Sequence, residues 1–176
     1  QAKGGTLAAE GDTLVVRNAA EVVILLTADT DYKPNYDPDL NDAKAYVGVN
    51  PLATTEGWMR KACKTSWNKL LQTHLRDYTA LFGRVKFQLD KSTSALPTNK
   101  RLEAYRKGAK DQGLETLYYQ FGRYLLIASS RPGNMPANLQ GIWHNNVDGP
   151  WRVDYHTNNN LQMNYGPALT TNPSEC

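Results

Sequence analysis

Amide, imidazole and aromatic side chains are concentrated in one stretch of the chain, residues 131–165. Its prolines and glycines predict loop rather than helix, and asparagine is unfavourable inside regular structure because its side chain competes for backbone hydrogen bonds. This composition suits a sugar site, in which carboxamides and imidazoles bond hydroxyl groups and indole faces stack on the C–H groups of the ring. A long surface loop stabilised by its own hydrogen bonds would have the same composition, so both interpretations stay open at this level.

The composition of the whole chain is that of a globular protein. It has 176 residues, of which 40% are hydrophobic and 21% charged, enough for one ordinary domain with a real core. The net charge is +3, and the basic residues are scattered among acidic ones. The nearest approach to a basic patch is typical of a solvated helix face, and we expect no nucleic-acid partner. It consists of Arg101, Arg106, Lys107 and Lys110.

The cysteine content and the hydropathy indicate which further classes of protein are excluded. Cys63 and Cys176 are too few for a disulfide scaffold and have no metal-ligand spacing, so we expect two free thiols and no metal site. No residue pattern calls for an organic cofactor. We also expect no membrane span, because no apolar run is long enough, and no signal-peptide pattern opens the chain. The compartment is not identified, and a periplasmic or secreted location stays open.

The N-terminal third predicts strands followed by a loop. Residues 14–16 and 22–26 are short, β-branched-rich runs, and the second is continuous, which predicts a strand buried on both faces. Two strands alone are unstable in water, so we expect them to be the edge of a larger sheet. Residues 29–50 contain prolines and many Asp and Asn, and they predict a connecting loop anchored by Tyr32 and Tyr36.

The middle of the chain predicts helices. Apolar residues recur at steps of three and four over residues 58–81, and Gly83 follows as a helix stop. His74 lies on this apolar face, where a core or interface role is favoured over a catalytic one. Residues 85–89 alternate and predict a brief strand.

Two more helices are predicted before the polar stretch. Pro97 begins a short helix through Tyr105 that Gly108 ends, and Asp111 is a plausible N-cap for the next helix. The apolar stripe of that next helix is predicted to be core. It consists of Leu114, Leu117, Tyr118, Phe121 and Leu125.

The last residues predict the first turn of a further helix. Asn172 is a suitable cap, Pro173 suits the first helical position, and Glu175 suits the third. Because a natural domain seldom stops there, and because the chain begins with Gln1 rather than Met, we expect it to be a piece of a longer protein.

Three segments carry a specific resemblance to a known family. They read GRYLLIASSRPG at residues 122–133, PANLQGIW at 136–143 and DYHTNNNLQMNY at 154–165. Residues 78–85 and 96–102 look like the same family's linker. Together they resemble glycoside hydrolase family 95, the inverting α-L-fucosidases, over most of the chain from about residue 20 onward.

The resemblance implies an architecture. Family members have an N-terminal β-sandwich, a helical linker, an (α/α)6 barrel holding the active site and a C-terminal β domain. The expected fold class is therefore mixed and mainly α. Residues 1–50 would supply the last strands of the sandwich and a connecting loop, residues 51–110 the linker, and residues 111–176 the start of the barrel.

The resemblance also implies a reaction and its residues. Members remove terminal α-L-fucose, typically α1,2-linked, from glycans, and inversion needs a general acid and a base-activated water on opposite sides of the sugar. In the family that water is held by an Asn-x-Asn pair, which matches Asn158 and Asn160; in an extended loop their side chains would share one face. His156 matches the sugar-contacting histidine. Trp143 is a second candidate for substrate binding, and it and Trp151 either wall the site or pack beneath it.

Some family features are missing or altered. None of the carboxylates of Glu103, Glu115, Asp148 and Asp154 matches the general acid, so we expect the acid and an assisting aspartate to lie beyond this chain, with Asp154 bracing the loop. The family usually has an aliphatic residue where Asn159 stands and Trp where Gly166 stands. Without that indole, packing surface near the asparagine pair is lost.

Two alternative functions remain. An α-L-galactosidase of the same family would act on a sugar that differs from L-fucose by one hydroxyl group. A non-catalytic carbohydrate-binding protein could use the same fold. A complete acid and aspartate pair facing the asparagines would separate the enzymes from the binding protein.

Overall fold

The computed structural model describes residues 1–35, 42–89 and 94–176. The chain divides into two compact units, Gln1–His74 and Leu75–Cys176, and the boundary falls inside a helix. The described residues are mainly helical with few strands, which confirms the mainly α expectation. The sandwich, linker and barrel assignments stay predictions.

The strands of the first unit form two antiparallel pairs, β1 (Ala2–Lys3) with β4 (Glu21–Val22), and β2 (Thr6–Glu10) with β3 (Thr13–Arg17). In the β2–β3 hairpin Thr6 lies opposite Arg17 and Glu10 opposite Thr13. The turn between them uses Gly11 at φ +60°, a conformation that glycine adopts without steric penalty. Strand β3 confirms the strand predicted at residues 14–16.

The second predicted strand is wrong in length and in burial. Only Glu21 and Val22 pair in β4, and Ile24 and Leu26 are each 87% exposed. The partner strand β1 is itself two residues long. Val23 still exchanges two hydrogen bonds with Gln1, at 2.8 Å each. Because a ladder continues only where a neighbouring strand supplies hydrogen bonds, the apolar run stays unpaired beyond Val23 among the described residues.

The loop at residues 29–50 is anchored at Tyr32, as predicted. Its ring stacks on Tyr46 with centroids 6.1 Å apart, and its backbone bridges to Val47. Asp42 caps the short 3₁₀ helix Ala43–Tyr46 by accepting the Lys44 N–H at 2.9 Å. Tyr36, the second predicted anchor, lies outside the described residues.

The helix predicted across residues 58–81 is two helices, α1 (Leu52–Cys63) and α2 (Trp67–Phe82). Side chains stabilise the break. The Thr65 hydroxyl donates back to the Lys61 carbonyl at 2.9 Å, and Ser66 Oγ accepts the Lys69 N–H at 3.4 Å as a cap for α2. His74 is exposed, so the core alternative of its predicted core or interface role is wrong. Helix α2 ends one residue before Gly83, as predicted.

The second unit continues with α3 (Thr98–Arg106) and α4 (Gln112–Ser129). Asp111 is the N-cap of α4, as predicted, and accepts the Leu114 N–H at 2.8 Å. The strand predicted at residues 85–89 is wrong, because no described strand pairs with it. Instead the Phe87 ring packs 4.5 Å from the ring of Tyr119 on α4.

Helix α4 buries a different face from the predicted stripe. Leu114 is buried as expected, but Tyr118 is 80% and Phe121 52% exposed. The buried face centres on Arg123 and Ile127, which are 2% and 1% exposed. The Arg123 guanidinium donates hydrogen bonds to the carbonyls of Phe82, at the end of α2, and of Thr171. The buried face of α4 is therefore the one that carries this guanidinium.

The chain ends with α5 (Asn160–Tyr165), α6 (Pro167–Thr170) and a turn. The helix predicted to start at residues 172–175 is wrong: Asn172 has φ +59°, and the Cys176 N–H donates to the Pro173 carbonyl at 3.0 Å in an isolated turn. Pro173 is fully buried, so it packs instead of leading a helix.

Candidate functional site

The polar stretch is a loop between α4 and α5, residues 130–159, which we call the site loop. Two consecutive residues of α5 hold its first part. The Tyr165 hydroxyl accepts the Ala137 N–H at 2.7 Å, and Asn164 Nδ2 donates to the Asn138 carbonyl at 2.9 Å. The site loop is therefore fixed to the short helix that begins at Asn160.

The middle of the site loop is a closed excursion whose two limbs are bonded together. The Leu139 N–H donates to the Asp154 carbonyl at 3.1 Å, and Gln140 Nε2 donates to the Pro150 carbonyl at 3.0 Å. Gln140 Oε1 is the one buried side-chain oxygen or nitrogen without a partner among the described residues. The excursion is therefore held at its base by backbone and amide groups.

The predicted substrate-binding residue Trp143 lies on this excursion. Its side chain is 43% exposed, and its ring centroid is 6.4 Å from that of Tyr124 on α4. No hydrogen bond or ring contact between described residues joins it to His156 or to the asparagine pair. Trp151 is 72% exposed and sits in a left-handed turn at φ +51°, so it does not pack beneath the loop.

Asn158 and Asn160 lie at the junction of a turn and a helix. Asn158 belongs to the turn at residues 157–159, and Asn160 is the first residue of α5. The extended backbone that would place both side chains on one face by alternation is therefore wrong. Both residues are exposed, and neither carboxamide has a hydrogen-bond partner in the described part of the chain.

His156 supports this junction through its backbone. Its carbonyl accepts the N–H groups of Asn160 at 3.1 Å and Leu161 at 3.3 Å, and its φ of +45° turns the chain into α5. Its Nε2 lies 3.7 Å from Asp154 Oδ2, and Asp154 Oδ1 accepts the Tyr155 N–H at 2.6 Å. The predicted bracing role of Asp154 agrees with these contacts. His156 and Asn160 thus meet through a backbone hydrogen bond, and Asn158 lies between them in the chain.

A cavity of about 380 Å³ lies beside α5, on the side of the first part of the site loop. Its lining includes Arg131, Leu161, Tyr165 and Glu175. Arg131 is paired with Asp77 at 2.7 Å, and Glu175 is paired with Arg84 at 2.7 Å, which lowers the pKa of the Glu175 carboxyl. The charged groups of this cavity are therefore committed to ion pairs within the protein.

Metal-binding clusters and membrane-spanning helices are both absent from the described residues. Within residues 1–35, 42–89 and 94–176, no group of three His, Cys, Asp or Glu side chains is placed to hold a metal ion. No helix in the same ranges has the length and apolar character needed to cross a membrane. Cys63 and Cys176 are free thiols, and burial raises the pKa of Cys176.

Sequence reasoning did not identify the residues that hold the site. Tyr165 was visible only as part of a family motif, and its hydroxyl bonds Ser130 Oγ, 35 residues earlier, at 2.7 Å. Gln140 was likewise visible only as part of the motif at residues 136–143. Periodicity and capping patterns predict contacts between residues a few positions apart. They therefore could not predict the hydrogen bond of Tyr165 with Ser130 or that of Gln140 with Pro150.

Comparison with known proteins gives consistent matches. The model of the glycosyl hydrolase family 95 catalytic domain matches residues 66–176. The chain is 37% identical to Alpha-L-fucosidase 2 of Arabidopsis thaliana over 172 residues, which are 94% of this chain and 20% of the relative. It is 38% identical over 150 residues to Probable alpha-fucosidase A of Aspergillus niger, 82% of this chain and 18% of the relative. It is 32% identical over 163 residues to Probable alpha-fucosidase A of Aspergillus oryzae, 90% of this chain and 22% of the relative.

The chain thus spans about a fifth of the length of the curated relatives it matches. The catalytic-domain match covers more than half of the chain and contains the whole site loop and α5. The resemblance read from the three sequence motifs is confirmed by these matches. The chain belongs to glycosyl hydrolase family 95.

Proposed function

We propose that this chain is the linker and first part of the catalytic barrel of an inverting α-L-fucosidase, in which Asn158 and Asn160 position the attacking water. One observation carries the proposal. Both carboxamides are exposed and free of hydrogen bonds among the described residues, although the backbone at their junction is held by the His156 carbonyl. A fixed backbone with uncommitted side chains is what a ligand-binding pair needs. The names of the curated relatives, all α-fucosidases, agree with the reaction.

The chemistry assigned to the pair is positioning. A carboxamide oxygen is barely basic at neutral pH, so neither asparagine removes a proton from water. The two carboxamide oxygens share one O–H of the water and so fix the direction of its lone pair toward the anomeric carbon, while the second O–H stays available to a base. A carboxylate elsewhere in the whole protein takes the proton, and a carboxylic acid protonates the leaving oxygen.

The remaining candidates contact the sugar. His156 precedes the pair by two residues, and its Nε2 lies 3.7 Å from Asp154 Oδ2. Trp143 offers a half-exposed indole face on the excursion of the site loop. The proposed substrate is a glycan with a terminal α-L-fucose, typically in α1,2 linkage.

The test uses the full-length protein that contains this chain. Asn158→Ala and Asn160→Ala should each lower kcat by about 100-fold or more and leave KM nearly unchanged, because positioning acts on the transition state rather than on ground-state binding. Asn145→Ala is the matched control, since Asn145 is an exposed asparagine of the same loop. Unchanged kcat in both pair variants would refute the water-holding role.

The same preparation tests the reaction itself. NMR of the sugar at early times should show β-L-fucose as the first product if the anomeric centre is inverted. An L-galactoside of the same linkage, offered in parallel, separates the two enzyme activities. Binding of the fucosylated glycan without release of either sugar would instead indicate a carbohydrate-binding protein.

A further inference from the structure

We propose that Tyr165 is a positioning residue for Asn158 and Asn160, acting through a directed chain of hydrogen bonds that ties α5 to the end of α4. This inference rests on the proposed function of the asparagine pair. It concerns a hydroxyl group that touches neither asparagine. The contacts of this hydroxyl group show in which direction the hydrogen bonds run.

The direction of each hydrogen bond follows from the donors available. The Ala137 N–H can only donate, so at 2.7 Å the Tyr165 oxygen is its acceptor. The Tyr165 proton is then free to go to Ser130 Oγ, also at 2.7 Å. At the other end the Ser129 hydroxyl donates to the Leu126 carbonyl at 3.3 Å, so Ser129 Oγ accepts from Ser130 at 3.3 Å.

The chain of bonds therefore runs from the site loop through α5 to the last turn of α4 without an unused proton. Most of it is buried, with Ala137 4%, Ser129 8% and Ser130 2% exposed. In such surroundings hydrogen bonds polarise one another, and a missing member leaves buried groups unpaired. Tyr165 is the member that joins the two halves.

The geometry connects this chain to the asparagine pair through a very short helix. Helix α5 has six residues, with Asn160 at its start and Tyr165 at its end. Asn164 adds a second bond beside Tyr165, to the Asn138 carbonyl at 2.9 Å. Among the described residues, α5 is attached at its C-terminal end by Tyr165 and Asn164, and nearer its start by the His156 carbonyl and by Gln162 Nε2, which donates to the Thr157 carbonyl. We expect so short a helix to rotate when the Tyr165 attachment is lost. That rotation displaces Asn160 directly.

The test is Tyr165→Phe in the full-length protein, which removes the hydroxyl and keeps the ring. Hydrogen exchange of residues 156–165 should become faster than in wild type, because the attachment of α5 is weakened. We expect kcat to fall about tenfold or more with KM unchanged, the signature of a misplaced reacting group. Tyr118→Phe is the matched control, since Tyr118 is 80% exposed and makes no hydrogen bond to any described residue; its exchange and kcat should stay at the wild-type values.

A double-mutant comparison separates positioning from general destabilisation. In the Asn160→Ala background, Tyr165→Phe should lower kcat by a smaller factor than in wild type, because one of the two groups it positions, and the one on α5 itself, is already absent. A full multiplicative loss in that background, or a loss confined to KM, would overturn the positioning role. Unchanged exchange in Tyr165→Phe would overturn it as well. If the wild-type protein releases no fucose, the proposed function fails, and the exchange comparison alone decides whether Tyr165 holds α5.

Discussion

Replacing the buried Arg123 by leucine should open the second unit locally at the end of α2 and at the turn after α6. The guanidinium donates to the Phe82 carbonyl at 2.9 Å and to the Thr171 carbonyl at 3.1 Å. It also lies 4.9 Å from the centroid of the Phe82 ring. None of the described carboxylates pairs with it, so its hydrogen bonds go mainly to backbone carbonyls, including the orphan carbonyls that end α2.

The magnitude follows from what leucine leaves behind. Two carbonyls lose their close donor, at about 1–3 kcal/mol each, and the cation–π contact adds about 0.5–2 kcal/mol. Against this, removing the charge recovers part of a desolvation cost of several kcal/mol. The expected net loss is about 3 kcal/mol, or about 100-fold in the local opening constant.

The assay is native-state hydrogen exchange in the full-length protein, read at the amides of Gly83, Arg84 and Thr171. Arg123→Leu should reduce the protection of these amides about 100-fold. Arg123→Lys should reduce it about tenfold, because the lysine ammonium keeps the charge but cannot donate hydrogen bonds in the fixed planar arrangement of a guanidinium. Arg106→Leu, at an exposed arginine of α3, is the control and should change nothing. Unchanged protection in Arg123→Leu would show that desolvation cancels the hydrogen bonds and would refute the reasoning.

Two further predictions concern the cap of α4 and the site loop. The paired hydrogen bonds from Arg101, at 2.8 Å each, and the Leu114 N–H lower the pKa of Asp111 to about 2. Because this folded pKa lies below the unfolded value of 3.8, the stabilisation that the Asp111 carboxylate gives the fold is complete above about pH 4 and is lost as the pH falls toward 2. Asp111→Asn should flatten the pH dependence of the free energy of unfolding in that window. An Asp111 carboxyl that titrates near 4 by NMR would contradict this. Gly149→Ala should shift the loop limb at residues 144–153, at about 1–3 kcal/mol, because the new methyl group would meet Val153 Cγ2 and lie 2.7 Å from His144 Nε2. A crystal structure of the variant with His144 unmoved would refute it.

Local signals predicted what local physics controls. Asp111 was recognisable as a cap because its carboxylate satisfies an N–H group three residues later. Gly108, at φ +95°, and Gly83 were recognisable as helix ends because glycine commonly follows the last residue of a helix. The Thr65–Ser66 break between α1 and α2 was missed, because an apolar period continues across it while the side-chain bonds that end one helix and start the next do not alter that period.

The sequence by itself determined the family and the polar aromatic character of the site loop, and it supplied the prediction of which residues bind a sugar. The tertiary structure decided which face of α4 is buried, that the asparagine pair stands at a turn before a helix, and that the hydroxyl of Tyr165 meets Ser130. The physical reason is distance along the chain. Hydrophobic periods and caps arise between residues a few positions apart. Arg123 with Phe82 and Tyr165 with Ser130 are instead joined across 41 and 35 residues by hydrogen bonds, which form only because tertiary packing brings these groups together.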